Sequence, residues 1–408
     1  MRGTTASAWR DSEALPADAA LSAVGACLLR ELDSVDEESS MVNRLMTSDV
    51  QDDARGEISR LRVLHVLDSS GLGGAQRVAM TLVEWLRDLG VDTAVVAPDG
   101  AILDGAGDLR QFPSKGRPGF GEISAAIDAF RPTVLHAHQR REALVAGIAG
   151  RMRGIPTVEH AHTVLPGHRH RGLSFRSRRI YAVSPDVARM VVDDYRASAE
   201  RVRVIPNIGA VPVATEAPGP SYRLVLPDVP WEILGIGRMT EQKNPLRFVS
   251  VVARLNRIRP VHARWIGEGP LLSPARRLAA VLGAPVDFVG RSVQIAEELD
   301  GVDALLMTSE WEGLPLAALE AYARGRVVFA TESSRVPAPE ALRARYIVDD
   351  GTTDEDFARR IADTLSVADG VASDSVAVHA DAARRADLDG LFAPILADYR
   401  DLSSRGRV

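Results

Sequence analysis

Cysteine occurs once in this chain of 408 residues, as Cys27, and lysine only twice, as Lys115 and Lys243. A single thiol excludes an intramolecular disulfide framework and suits a reducing compartment, so a soluble cytoplasmic protein is expected. No apolar run approaches the ~20 residues that span a bilayer. The longest early candidate, Ala19 to Leu29, is short, and Asp11, Glu13 and Asp18 precede it where a secretory leader carries positive charge. Neither a membrane span nor a signal peptide is therefore expected. Positive charge is also in deficit. Against 55 acidic residues stand 49 basic ones, and the net charge of -6 supplies no general attraction to a phosphate backbone, which argues against a nucleic-acid partner. Apolar residues at 46% and charged residues at 25% are globular proportions, and the length suits two domains rather than one.

Residues 1–60 are polar and acidic and lack strand-like alternation. They read as an N-terminal extension, helical in part around Ala19 to Leu32 and otherwise disordered, serving as a regulatory segment or a long leader. Order begins at Leu61. The run LRVLHVLD, the small-residue stretch SSGLGG, a helical pattern through Val78, Leu82 and Leu86 and the run TAVVAP make a βαβ unit. Strand-like runs follow at Thr133 to His136, Thr157 to Glu159, Ile180 to Val183 and Val202 to Ile205. After a Pro- and Ala-rich stretch from Pro206 to Pro230, a second series runs through Trp231 to Gly237, Val261 to Gly267, Val286 to Val289, Val302 to Met307 and Val327 to Thr331. Helical patterns at Pro245 to Leu255, Ser273 to Leu282 and Leu314 to Arg324 separate several of them. The expected fold class is α/β, with two doubly wound domains over 61–215 and 216–388 and a cleft between them where parallel sheets place ligands. A last helix near Leu391 to Leu402 carries Leu391, Ile395 and Tyr399 on one face.

The loop Gly71-Leu72-Gly73-Gly74 fails the dinucleotide pattern G-x-G-x-x-G because Gln76 occupies its final position. Glycines at a helix N-terminus still allow a ligand to reach bare N–H groups, so Gly73 and Gly74 are read as ligand-facing, without a nicotinamide. In the second half, GIGRMTEQKNP places Arg238 and Lys243 across a loop after a strand, with Pro245 opening a helix. Two cations beside a helix N-terminus suit a diphosphate. A chain that uses arginine for all but two of its 49 basic residues, yet keeps lysine at 243, points to a need for a compact ammonium there. The stretch SEWEGLPLAALEAYARG sets Glu312 before Gly313 and Leu314, with Glu320 seven intervening residues on, flanked by Leu319 and Ala321. A carboxylate on so apolar a helix calls for a bound partner, and a ribose with two hydroxyls is one such partner.

These residues resemble retaining glycosyltransferases of the GT-B fold, glycosyltransferase family 4. The family's Glu-x7-Glu motif matches Glu312 to Glu320, its Gly-Arg…Lys-Asn segment matches Gly237-Arg238 and Lys243-Asn244, and its Gly-x-Gly-Pro matches Gly267-Glu268-Gly269-Pro270. The resemblance runs from about Leu61 to the C-terminus. It implies two Rossmann-like domains, with 389–408 a helix that crosses back to the N-terminal one. It implies that Arg238 and Lys243 hold the donor diphosphate, Glu320 the ribose and Glu312 the donor sugar. It places Gly73 and Gly74 near the phosphates, the backbone of Val289, Gly290 and Arg291 at the base, and Gly237, Glu268, Gly269, Gly313 and Leu314 around the donor. His138, ending LHAH, matches a histidine close to the reacting sugar, and His160, His162 and Arg140 fall on the acceptor side. Gln76 stands where the family often has an acid, and Ser334 to Glu340 replace its Gly-Gly-x-Pro-Glu stretch.

The implied reaction moves a sugar, with retention, from a UDP- or GDP-linked donor to a glycan, lipid-linked or small-molecule acceptor, as in cell-envelope polysaccharide synthesis. No cofactor is implied beyond the nucleotide-sugar co-substrate. The paired histidines also suit a metal, but with no cysteine nearby and none needed for transfer, no metal is expected. Asp354-Glu355-Asp356 reads as a helix start rather than a metal motif. The stretch from Arg140 to Arg179 holds nine arginines, four histidines and two acids, which suits an anionic acceptor or peripheral contact with an anionic membrane. Competing readings are a sugar-nucleotide 2-epimerase, a non-catalytic sugar-nucleotide-binding protein and a nicotinamide oxidoreductase.

Overall fold

The computed structural model describes residue 58 and residues 60–405, apart from 72, 101, 102, 104, 105, 166–170, 210, 217–221 and 227. The extension expected over 1–60 lies, but for residues 58 and 60, outside the described residues, as does its helix at Ala19 to Leu32.

The first lobe alternates β1 (Arg62–Val66), α1 (Gly74–Asp88), β2 (Asp92–Pro98), β3 (Arg110–Ser114), α2 (Phe120–Phe130), β4 (Val134–Ala137), α3 (Arg140–Arg151), β5 (Thr157–Ala161), β6 (Arg179–Ala182), α4 (Pro185–Arg189) and β7 (Val202–Val204). Its seven strands are parallel, in the order β3-β2-β1-β4-β5-β6-β7. Strands covered on both faces read as apolar runs, and Val63, Leu64 and Val66 of β1 are fully buried. Helix α1 buries Val78, Leu82, Val83 and Leu86 and stops where Gly90 adopts φ +84°. Strand β3, of sequence RQFPS, was not anticipated. It is a largely exposed edge strand whose polar sequence carries no alternation, and Pro113 is tolerated because an edge strand can forgo one N–H.

The second lobe contains α5 (Tyr222–Val225), β8 (Trp231–Ile236), α6 (Pro245–Ile258), β9 (Val261–Ile266), α7 (Leu272–Leu282), β10 (Val286–Gly290), α8 (Ile295–Asp300), β11 (Ala304–Met307), α9 (Leu316–Ala323), β12 (Val327–Thr331), α10 (Glu340–Tyr346), β13 (Ile347–Val348), α11 (Asp354–Leu365) and α12 (Ala368–Arg384), and the chain ends in α13 (Leu388–Arg405). Its parallel strands are ordered β10-β9-β8-β11-β12-β13 around a core that includes Trp231, Phe248, Phe329 and Phe357. Asn244 caps α6, accepting from the Arg247 N–H at 3.1 Å, and Pro245 sits in its first turn. Asp354, Glu355 and Asp356 occupy the first turn of α11, capped by Thr353, and Asp354 is held by Arg247 and Ser250. Two fully parallel, doubly wound lobes make the expected α/β class.

Helix α13 packs on the first lobe. Trp85 of α1 donates to Asp389 at 2.7 Å, the Tyr399 hydroxyl lies 2.5 Å from Nδ1 of His136, and Asp398 receives Arg179, Arg203 and Tyr181. The apolar seam differs from the expected one in a single member. Phe392, Ile395, Tyr399 and Leu402 are buried, whereas Leu391 is only half-buried, because spacing of 3, 4 and 3 residues follows the helix better than a strict four-residue step.

Candidate active site

In a doubly wound sheet a crevice opens where the strand order reverses, beyond the carboxyl ends of the strands. The first sheet reverses between β1 and β4 and the second between β8 and β11. Beyond β1 and β4 lie the Gly73-Gly74 turn and His138, and beyond β8 and β11 lie Gly237-Arg238 and Glu312. The two crevices face each other. A Cβ on Gly313 would stand 2.2 Å from the His162 carbonyl oxygen, so only a bare backbone allows the lobes this approach. Nδ2 of Asn207 donates to the Leu314 carbonyl at 2.8 Å, Arg77 meets Glu320 at 3.1 Å, and Arg335 pairs with Asp186.

On the second-lobe wall, Lys243 Nζ lies 2.5 Å from Oε1 of Glu312, which is 6% exposed. The lysine stem passes over Gly237, where a Cβ would lie 3.0 Å from Cγ and Cδ. Arg238 is exposed, and its side chain has no ion pair with any described residue. The floor beneath is held by glycine again. Gly267 has φ +133°, and a side chain there would collide with the Gly237 carbonyl at 2.0 Å. That carbonyl accepts from Trp265 Nε1 at 3.0 Å. Glu320 is buried on α9, and its partner Arg77 rises from the first turn of α1. Glu268 pairs with Arg291 at 3.0 Å, both well exposed. Val289 falls where the β9–β10 register shifts, which leaves its side chain 47% exposed, and Gly290 accepts from the Gly267 N–H at 2.6 Å.

The first-lobe wall is a ladder of imidazoles. Strands β4 and β5 each run into a His-x-His, with His136 and His160 inside the strand and His138 and His162 just past its end, and this spacing puts both rings of each pair on one face. His65 is paired in register with His136, and Ala137 with Glu159, so His138 and His160 are the next neighbours across. Nδ1 of His65 lies 3.1 Å from Nε2 of His138, and Nδ1 of His160 lies 3.1 Å from Nε2 of His136. The rings of His138, His160 and His162 stack at 5.0 to 5.9 Å. Burial pushes His65 down to about 3 and His162 to about 4, and takes His136, His138 and His160 well below the ordinary range, so the ladder is neutral. Glu159, on the opposite face of β5, is pushed up to about 7 by burial.

The residues singled out from sequence thus gather at one cleft: Gly73, Gly74, His138, His160 and His162 on one wall, and Gly237, Arg238, Lys243, Glu268, Gly269, Glu312, Gly313, Leu314 and Glu320 on the other. Arg140 lies at the start of α3, where Nη1 donates to the Tyr195 hydroxyl at 3.0 Å. Three participants escaped the sequence reading. Arg77 is a charged residue in the first turn after the glycine pair, a signal that was available. His65 is the only polar residue between Val63 and Val66, which was a signal too. Asn207 lies in the stretch between the lobes and had none. Gln76 folds back to donate to Asp68 at 2.8 Å and Ser69 at 3.1 Å, tying the loop after β1.

Comparison with known proteins bears on this geometry. The first lobe matches the model of Glycosyltransferase Family 4 over residues 72–208. The second matches Glycosyl transferases group 1 over residues 231–366. The chain is 26% identical over 311 residues to the putative glycosyltransferase EpsF of Bacillus subtilis (strain 168), covering 67% of this chain and 80% of that one. It is 23% identical over 316 residues to the UDP-Gal:alpha-D-GlcNAc-diphosphoundecaprenol alpha-1,3-galactosyltransferase of Escherichia coli, covering 65% and 78%. Among solved structures, Anabaena Alr3699/HepE in complex with UDP-glucose superposes with a TM-score of 0.68 at 18% identity, over 83% of this chain and 99% of that one. The chain belongs to the GT-B glycosyltransferases, with the family 4 pattern in its first lobe and the group 1 pattern in its second.

Proposed function

We propose that this enzyme transfers a hexose, with retention, from a nucleoside diphosphate sugar to a glycan or lipid-linked acceptor of cell-envelope polysaccharide synthesis. The observation that carries the reading is the second-lobe wall, where an exposed arginine, a half-buried lysine and two buried carboxylates line one crevice. Negative charge grows on the departing diphosphate, and Arg238 and Lys243 are fixed cations that stabilise it without metal or further cofactor. Glu320 takes the ribose hydroxyls once Arg77 yields, Glu312 positions the donor sugar, and the base lies along Val289, Gly290 and Arg291. His138 faces the reacting sugar, with His160, His162 and Arg140 on the acceptor side. UDP and UDP-glucose occupy the Anabaena neighbour, and the Escherichia coli relative acts on a diphosphoundecaprenol substrate, which favours a UDP-linked donor and a lipid-linked acceptor.

Calorimetry with UDP, GDP and ADP tests the donor site. One of the three binds, and Glu320→Gln weakens it roughly tenfold to a hundredfold, the value of one or two hydrogen bonds to a charged group. Binding of none by a folded protein would reduce the chain to a non-catalytic scaffold. Conversion of the donor without an acceptor would identify an epimerase instead.

Among the described residues no helix is long and apolar enough to cross a membrane. Ile148, Met152 and Leu173 are nevertheless 50%, 71% and 56% exposed in a stretch that also exposes Arg151, Arg176 and Arg178. Apolar side chains interspersed with arginine suit the surface of an anionic bilayer. In flotation, the protein rises with liposomes that contain anionic lipid and stays down with neutral ones; equal behaviour in both removes the membrane contact.

A further inference from the structure

A ladder of neutral imidazoles is an uncommon object to bury. Each ring has two polar nitrogens, and a buried polar atom without a partner is destabilising. In this ladder Nε2 of His65, Nδ1 of His138 and both nitrogens of His162 are buried with no hydrogen-bond partner among the described residues. The orphans on His138 and His162, two members of one cluster, call for an occupant. One nitrogen each from His138, His160 and His162 lies within 4.8 Å of the other two, and the same holds for His65, His136 and His138.

The geometry points to a site for a borderline divalent transition cation, Zn²⁺ or its like, held by His138, His160 and His162 at the first-lobe wall of the cleft. The choice between the two groups rests on which nitrogens remain available. In the inner group, Nδ1 of His65 and Nε2 of His138 face each other at 3.1 Å, and His136 is engaged through both nitrogens, by His160 and by the Tyr399 hydroxyl. In the outer group, Nδ1 of His138 and both nitrogens of His162 are unpartnered, and His160 keeps Nε2 because its Nδ1 meets His136. Tetrahedral imidazole ligands at about 2.0–2.1 Å from an ion stand ~3.3 Å apart, so the rings close in on the ion as it binds.

The inner histidines hold the outer ones in place through the two 3.1 Å contacts. A ligating histidine donates its other ring N–H to an acceptor, which fixes the tautomer. His138 binding through Nδ1 donates from Nε2 to Nδ1 of His65. His160 binding through Nε2 donates from Nδ1 to Nε2 of His136, whose own Nδ1–H reaches Tyr399. One set of tautomers satisfies both 3.1 Å contacts and leaves one lone pair on each of the three rings for the ion. Three imidazoles, with no fourth ligand among the described residues, leave a position for water. This departs from the expectation drawn from the sequence, which set a metal aside because no cysteine is nearby and the family's transfer needs none. It does not make the ion part of sugar transfer, whose charge stabilisation sits on the opposite wall.

Cobalt(II) is the probe, because a low-symmetry nitrogen site gives it intense visible absorption. Tag-free full-length protein, treated with chelator and titrated at neutral pH, takes up one equivalent with that absorption, and Zn²⁺ displaces it. His162→Ala loses the absorption and at least about 100-fold in affinity. His262→Ala keeps both, because His262 sits in a separate surface cluster with Glu232 and Asp287. Zn²⁺-loaded wild-type protein shows scattering from three imidazoles in X-ray absorption, a result that does not depend on any variant folding. A wild type that takes up no cobalt, or whose cobalt is lost with His262→Ala and kept with His162→Ala, overturns the site and leaves the ladder a chain of shared protons.

Discussion

Lys243→Ala lowers sugar transfer by about 10²–10³ while the protein stays folded. A cation ~4 Å from the developing diphosphate charge contributes roughly 4 kcal/mol at an effective dielectric near 20, before desolvation is counted. The surroundings of Lys243 explain why the residue is lysine in a chain so given to arginine. Its stem lies against Gly237, whose missing side chain leaves room for a slender chain, and its ammonium reaches Glu312 at 2.5 Å. Alanine therefore has two effects. It removes positive charge from the diphosphate, and it leaves a buried carboxylate facing an anionic ligand. Lys243→Arg keeps the charge but crowds Gly237, so its activity falls between the two. Steady-state transfer rates with a UDP-sugar check the series, and Lys243→Ala turning over within threefold of wild type rejects the assignment.

Asp398→Ala destabilises the protein by about 2–3 kcal/mol and loosens α13 from the first lobe. Its carboxylate is 3% exposed and accepts from Arg179 at 3.1 Å and Tyr181 at 3.3 Å, with Arg203 at 3.1 Å. The loss stays below the 3–5 kcal/mol of a stranded buried charge, because both arginines are partly exposed and rehydrate. What remains is the charge-assisted hydrogen bonding and a buried tyrosine hydroxyl without its acceptor. Asp398→Asn keeps an acceptor and loses about half as much. Urea unfolding monitored by circular dichroism measures both. Equal stability of Asp398→Ala and wild type would show that the apolar seam of Phe392, Ile395 and Tyr399 holds the helix unaided.

The parallel strands were legible because burial on both faces demands apolar runs such as TAVVAP and ALLM, and no partner need be known to see them. The edge strands were not. RQFPS is solvated on its outer side, and Ile347–Val348 is too short to form a pattern. The second-lobe wall was legible for a related reason: strand end, glycine, cation and helix start are neighbours in sequence, so EGLPLAALE and GRMTEQKN describe their own local geometry. Arg77 against Glu320, Asn207 against Leu314 and Gly313 against the His162 carbonyl each join residues more than 100 positions apart, with nothing local to announce them.

By itself, the sequence determined two doubly wound sheets, the second-lobe crevice and the chemistry of its charged side chains, since all three follow from periodicity and from residues close along the chain. Only the tertiary structure decided that Lys243 rests on Glu312, that Arg77 holds Glu320 across the cleft, and that five histidines on three strands and at their carboxyl ends share one face. Those contacts depend on register between strands and on how closely two lobes approach, and neither quantity is written in any local stretch of residues.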